Sequence, residues 1–260
     1  MKQQISILGC GWLGKPLAIN LIQQGHKIKG STTSEFKLSG FREIGVVPFI
    51  INLDDLKENI SAFLDSELLI VALPSKNIDG FKNLLSHIEK SPIKKVVFIS
   101  STSVYANSNE MVTEESDTLP SALTTIEMLF KNSVGFDTTI IRFAGLFGYA
   151  RKPGNFFSKG RKIPNPEGFV NMIHQDDCIR LIEKIIAKKA WKQIFNGCAD
   201  THPTRREFYS KTTLDIGLEL PVFEDVVENN KKIISNKKSK ELLNFEYKYG
   251  NLLQLNYENI

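Results

Sequence analysis

Residues 5–14 leave this chain little freedom of fold. Ile5-Ser-Ile-Leu8 is a short apolar run that reads as a buried strand, and it passes directly into Gly9-Cys10-Gly11-Trp12-Leu13-Gly14. Residues 15–24 carry apolar side chains at helical spacing and stop at Gly25. A bare GxGxxG is a weak signal, but strand, GxGxxG and helix in that order read as a dinucleotide-binding turn. Each glycine has its own task. Gly9 permits the tight turn, Gly11 lets a pyrophosphate approach the backbone, and Gly14 lets helix and strand pack closely. The helix start then offers N–H groups and the positive end of a dipole to the phosphates.

The rest of the first half repeats the alternation. Strand-like runs are expected at 27–29, 46–51, 68–73, 95–100 and 138–143, with helices between them, for example at 78–89. The run 95–100 is almost wholly apolar, as a strand covered on both faces must be. Strands alternating with helices imply right-handed βαβ units and a parallel sheet. The expected fold is therefore a doubly wound α/β Rossmann sheet with helices on both faces. Beyond residue 150 the pattern loosens, with a strand at 169–173, a helix at 176–189 and a strand at 193–197. The expected division is a Rossmann domain over 1–150, followed by 151–260, which completes the sheet and forms a smaller α/β substrate lobe. Parallel sheets bind ligands at the carboxyl ends of their strands, so the loops after Leu8, Leu73, Ser100 and Phe143 are expected to line one cleft.

Composition narrows the class. Of the 260 residues 42% are hydrophobic and 24% charged, an ordinary globular balance. Polar residues and then the first strand follow Met1, which leaves no room for a signal peptide, and no apolar run approaches the ~20 residues of a membrane helix. Cys10, Cys178 and Cys198 have no metal-ligand spacing and suit reduced thiols, so a cytoplasmic protein without a metal is expected. Basic residues gather at 151–162 and 231–240 under a formal charge of +4, but neither run carries a nucleic-acid motif. The expected partner is a small molecule, with neither nucleic acid nor membrane involved, and the chain is expected as a monomer or homodimer.

Several segments together resemble the short-chain dehydrogenase/reductase superfamily, in its extended and atypical NAD(P)-dependent epimerase/dehydratase branches. They are the glycine turn, Val97-Phe-Ile-Ser-Ser-Thr-Ser-Val-Tyr105, Ile141-Arg-Phe-Ala-Gly-Leu-Phe-Gly148, Asn171-Met-Ile-His-Gln-Asp-Asp177, Phe195-Asn-Gly-Cys-Ala-Asp200 and Lys232-Ile-Ile-Ser-Asn236. The resemblance implies that Ser101 polarises the reacting oxygen of the substrate. It also implies a Tyr-x-x-x-Lys pair as acid/base machinery, and residues 119–127 contain neither residue, although Glu127 resembles the glutamate that follows that lysine. Tyr105, Tyr149 and Lys131 are the conceivable replacements, with Tyr105 first. His174 reads as a support at a strand-to-helix junction and Arg142 as a partner for a carboxylate. The implied cofactor-binding set is Gly9, Gly11, Trp12, Leu13, Gly14, Ser31, Thr32, Thr33, Ser34, Leu73, Pro74 and Ser100.

The dinucleotide is read from the second strand. NAD-binding turns place a carboxylate about 20 residues beyond the glycines to hold the ribose 2′-hydroxyl. Here Ser31-Thr-Thr-Ser34 occupies that place, with Lys37 nearby to face a 2′-phosphate and Glu35 as a competing acceptor. NADP is the expected cofactor and NAD the alternative. The expected function is an NAD(P)-dependent oxidoreductase or epimerase/dehydratase acting on a small polar substrate, nucleotide sugars included. The alternative is a regulatory NADP-binding protein of weak or no turnover.

Overall fold

A computed structural model describes residues 2–57, 60–157, 161–225 and 232–260. Lys159 and Lys231, which belong to the two basic runs, lie outside the described residues. The first half alternates as β1 (Gln4–Leu8), α1 (Gly14–Gln23), β2 (Lys27–Thr32), α2 (Leu38–Glu43), β3 (Val47–Ile50), α3 (Ile60–Leu64), β4 (Leu68–Val71), α4 (Ile78–Glu89) and β5 (Lys95–Ser101). Then come β6 (Met111–Val112), α5 (Ala122–Asn132), β7 (Asp137–Phe143), β8 (Gly145–Phe147), β9 (Met172–His174), α6 (Gln175–Lys188) and β10 (Ile194–Gly197). The chain closes with α7 (Arg205–Asp215), β11 (Ile233–Ile234) and α8 (Lys237–Leu243).

Seven strands form one sheet in the order β10-β7-β5-β4-β1-β2-β3. The pairs β1–β2, β1–β4, β2–β3 and β4–β5 are all parallel. The order reverses between β1 and β4, so the fold is the expected doubly wound Rossmann sheet. Its switch point stands directly beside the glycine turn, where such sheets take their ligands. Burial explains the strand composition: all four residues of β4 are buried, as are Val96, Val97 and Phe98 of β5.

The chain divides into two compact units, and neither is continuous in sequence. The first comprises Met1–Ser100, Leu119–Ile141 and Ile185–Ile194; the second comprises Ser101–Thr118, Arg142–Lys184 and Phe195–Ile260. Residue 150, the boundary expected from the sequence, lies inside the second unit's stretch Arg142–Lys184. The segment after β5 and the end of β7 already belong to the second unit, while 185–194 returns to the first.

The first unit is held by a core between the sheet and the helices α4 and α5. Phe98 stacks on Phe130 at 4.8 Å between ring centroids, and Phe81 meets both edge-on. The start of α5 is closed by a reciprocal cap between Ser121 and Thr124. The second unit has its own core around Phe147, Phe208, Leu252 and Tyr257. Thr204 and Glu207 cap α7 in the same reciprocal way and fix the orientation of Arg205 and Tyr209, which α7 carries. Among the described residues no helix is long and apolar enough to cross a membrane.

Candidate functional site

The glycine turn is made by steric exclusion. Gly9 has φ +100°, a conformation that side chains disfavour, and a Cβ there would stand 2.7 Å from the carbonyl oxygen of Ala72. A Cβ on Gly14 would stand 2.2 Å from the carbonyl oxygen of Gly9, so α1 lies against the turn with no room for one more carbon. Gly11 differs: a Cβ there would meet nothing within 4 Å. No described atom of the protein crowds this position, and an open backbone face just before a helix start is the kind of surface that a pyrophosphate can approach.

Ser31 holds this turn in place. It is buried, and its hydroxyl accepts the Gly9 N–H at 2.9 Å while its carbonyl accepts the Cys10 N–H at 2.9 Å. Of the cofactor candidates, Ser31 thus spends its hydroxyl on the loop. Leu13 is buried, Trp12 is partly exposed, and the Leu73 side chain lies against Gly9 with Pro74 next to it in the chain. Cys10 is buried and its thiol is pushed up to about 12 by that burial, which makes it a packing residue. β2 runs to Thr32, three residues beyond the expected end. Thr32 accepts the Ser34 N–H on its hydroxyl at 3.1 Å, Thr33 is exposed, and Ser34 is partly exposed. The first carboxylate after the strand is exposed Glu35, which opens a 3₁₀ turn over Glu35–Lys37.

At the end of β5 two adjacent serines have different surroundings. Ser100 is buried, and its hydroxyl donates to the carboxylate of Glu127 on α5. Ser101 instead lines a cavity of about 420 Å³ in the second unit, together with Ser103, Asn107, Asn171, Arg205, Tyr209 and Lys232. Its hydroxyl oxygen accepts the Ser103 N–H at 3.1 Å. That bond fixes the oxygen and leaves the O–H to donate, the arrangement an oxygen-polarising group needs.

Tyr105 has a different place from the one expected of an acid/base residue. Its ring is fully buried, and its hydroxyl donates to Asn196 Oδ1 at 2.8 Å and accepts from Arg142 at 2.9 Å. The Arg142 guanidinium also lies 4.8 Å from the ring centroid. Burial raises the Tyr105 pKa above the ordinary tyrosine value, and Tyr105 is not among the residues of the cavity wall. Arg142 thus reaches Tyr105 through both its N–H group and its cationic face. Tyr149 donates its hydroxyl to Asp176 at 2.8 Å; this bond and burial push it up to about 12. Lys131 is exposed in the last turn of α5, in the first unit.

His174 is a buried support, as its sequence position suggests. It stacks on Tyr249 at 3.7 Å between centroids, and its Nδ1 accepts the Asp176 N–H at 3.1 Å. Nε2 is buried without a hydrogen-bond partner, and burial draws its pKa down to about 4.

The basic groups of the cavity carry almost no warning in the sequence. Arg205 lies in no recognisable motif, and its guanidinium donates to the Pro164 carbonyl at 2.9 Å. Lys232 opens the last family-like segment, and its ammonium donates to the Tyr105 carbonyl at 3.2 Å. Burial lowers its pKa from the ordinary lysine value. No carboxylate is among the described residues of the wall.

Comparison with known proteins places this geometry in a wider group. The model of the NAD dependent epimerase/dehydratase family matches residues 5–165. The chain is 30% identical to Protein YeeZ of Escherichia coli K12, over 98% of this chain and 100% of that protein. It is 25% identical to a UDP-N-acetyl-alpha-D-glucosaminuronate decarboxylase of Bacillus cytotoxicus, over 60% of this chain and 58% of that one. Among solved structures, the UDP-glucuronic acid 4-epimerase of Bacillus cereus in complex with NAD superimposes with a TM-score of 0.78 at 16% identity, covering 98% of this chain and 97% of that one.

Proposed function

The chain belongs to the NAD dependent epimerase/dehydratase family, and from that premise we propose that it is a nicotinamide-dependent oxidoreductase or epimerase acting on a small polar alcohol or carbonyl compound of the nucleotide-sugar class. The observation that carries this reading is Ser101: a hydroxyl held by the Ser103 N–H, with its own O–H left to donate, on the wall of a cavity large enough for a sugar. Relatives named for uridine-diphosphate sugars and their acids support the substrate class. Arg205, on a wall with no carboxylate among its described residues, suits a substrate that carries negative charge.

Under this proposal the turn at Gly9, Gly11 and Gly14 cradles the pyrophosphate, a role supported by the absence of close neighbours at Gly11 among the described residues. In this reading Trp12, Leu13, Leu73 and Pro74 surround the dinucleotide, Thr32, Thr33 and Ser34 face the adenosine ribose, and Ser31 and Ser100 act through the loop and strand that they brace. When bound, the nicotinamide supplies the acceptor or donor of a hydride. Ser101 holds the reacting oxygen and stabilises the charge that gathers on it.

The cofactor in this reading is NADP. β2 ends in hydroxyls without a carboxylate, and Thr33, Ser34 and Lys37 offer donors to a 2′-phosphate. Calorimetric titration of the protein with NADP⁺ and NAD⁺ tests both parts. Tighter binding of NADP⁺ is expected; tighter binding of NAD⁺ overturns the choice of cofactor, and no binding of either overturns the function. A second reading, a dinucleotide-binding protein without turnover, is favoured by the Tyr105 hydroxyl being taken up by Arg142 and Asn196. Reduction of bound NADP⁺ by a nucleotide sugar excludes it.

A further inference from the structure

We propose that Lys232 carries the proton of the reaction, in the role that residues 119–127 leave unfilled, with Ser101 on the same cavity wall polarising the oxygen that gains or loses it. This rests on the oxidoreductase reading above. Both residues line one cavity, and they are coupled through one loop. Ser101 is the last residue of β5, and the Lys232 ammonium is hydrogen-bonded to the carbonyl of Tyr105 in the segment that follows directly.

The lysine is fixed at both ends. Asn171 donates its side-chain amide to the Lys232 carbonyl at 2.9 Å and accepts the Ile234 N–H at 2.8 Å, so one side chain clasps the backbone on either side of Ile233. β11 then pairs in parallel with β6. At the far end the acceptor is itself immobile, because the Tyr105 ring is buried and its hydroxyl is bonded to Asn196 and Arg142. An ammonium has three N–H groups and the Tyr105 carbonyl takes one.

The surroundings suit a proton carrier better than a permanent cation. Among the described residues of the wall the other ionisable groups are Arg205 and Tyr209, with no carboxylate to hold the ammonium in its charged form. Burial lowers the Lys232 pKa, the usual means by which a lysine becomes a base near neutral pH. Tyr209 is less suited, since burial raises its pKa and packing against Phe157 and Phe208 holds its ring in the apolar core.

In the oxidative direction the substrate's O–H bond breaks and its proton passes to neutral Lys232 Nζ. The electron pair left on oxygen forms the carbonyl π bond, and the adjacent C–H pair would depart as hydride to an oxidised nicotinamide, were one bound. The products are a carbonyl compound, a reduced nicotinamide and a Lys232 ammonium. The reverse reaction returns the same proton to the oxygen.

A lysine in this place has one other obvious use, as a fixed charge that grips an anionic substrate. Arginine separates the two, because it keeps the charge but does not release a proton at accessible pH. The test prepares Lys232→Arg and Lys232→Met in the full chain. It measures NADP⁺ and NAD⁺ affinity by calorimetry and nicotinamide reduction with UDP-glucose and UDP-glucuronic acid as probes. It also follows the Lys232 amine itself by NMR titration after reductive ¹³C-methylation, with the resonance assigned by its loss in the arginine variant.

Both variants are expected to lose about 10²- to 10⁴-fold in kcat while cofactor affinity is kept. The Lys232 amine is expected to titrate below the ordinary lysine value of about 10.4, and the oxidation rate to rise with pH as it deprotonates. An arginine variant within roughly threefold of the parent rate overturns the proposal and leaves a charge holder. An amine that titrates at the ordinary value also overturns it. Should neither nucleotide sugar be turned over, the titration decides alone: a depressed value supports the proposal and an ordinary one ends it. Failure to bind either dinucleotide is a separate result, which removes the function proposed above.

Discussion

The two candidate sites are built from different materials. In the first unit the turn at Gly9–Gly14 is a backbone device: its features are a positive φ, an absent Cβ and the direction of a helix start. In the second unit the cavity is a side-chain device, in which a hydroxyl, an amide, an ammonium and a guanidinium converge from separate segments. A site made of backbone tolerates changes of chemistry but not added volume. A site made of side chains tolerates small changes of volume but not loss of a functional atom. The two therefore answer differently to a change of one heavy atom, which is where the contrast is most easily broken.

The largest effect is expected where one oxygen is removed. Ser101→Ala leaves a cavity wall that still packs, and kcat is expected to fall about 10²- to 10³-fold, roughly 3–4 kcal/mol of transition-state stabilisation. The melting temperature should stay near that of the parent protein, because the hydroxyl's recorded bond is a local one to the Ser103 N–H. A parallel loss of rate and of thermal stability would show Ser101 to be a structural cap and would erase the distinction between the sites.

One added carbon tests the other side. Gly14→Ala sets a methyl 2.2 Å from a backbone oxygen, and overpacking of this kind destabilises by about 1–3 kcal/mol. Gly11→Ala adds the same methyl into open space, so its denaturation midpoint should match the parent. Its dinucleotide affinity is expected to fall about tenfold or more, ~1.4 kcal/mol. Chemical denaturation and calorimetry on the two variants check the pair. Equal stability losses would mean that Gly11 is constrained by the protein and not by a ligand.

The same difference of material decides what could be read in advance. The sheet was legible because strands covered on both faces are written as apolar runs, and because a glycine turn is written as glycines. Yet β2 looked three residues too short. Gly30 breaks the apolar run, and it is glycine because Val46 and Cys10 stand at 2.6 and 2.7 Å from where its Cβ would be. Once the strand is extended, side chains alternate across it, and Ser31 turns inward to Gly9 rather than outward to a ribose. Spacing along a sequence carries no information about that inversion unless the strand's end is known.

The cavity was less legible for a reason of topology. Its wall is assembled from the loop after β5, the segment before β9, the start of α7 and the residue before β11, which no short motif spans. Ser101 stands out as a candidate because a family-like segment surrounds it. Lys232 opens another such segment, which assigns it no role, and Arg205 lies in no motif. Tyr105 shows the converse, since it sits in the same segment as Ser101 but its ring is buried in the core, which the sequence does not reveal.

The smallest predicted effect per step concerns pH, and it bears on the second unit alone. His174 is 1% exposed, its Nε2 has no partner, and burial holds its pKa down to about 4 against an ordinary value of 6.5. Lys248 also depresses it, while Asp176 opposes both. Because the folded pKa is the lower one, the unfolded chain binds more protons between these two values. Stability contributed by neutral His174 is complete above pH 6.5 and is lost as pH falls toward 4. The loss should approach, at most, about 1.4 kcal/mol per pH unit for this one group. Denaturant unfolding at pH 7 and pH 5 measures it, and His174→Gln is expected to flatten the difference even if it lowers stability at both. A glutamine variant that keeps the parent's full pH dependence would assign the acid sensitivity to another group, with His202, also depressed by burial in the same unit, the next to examine.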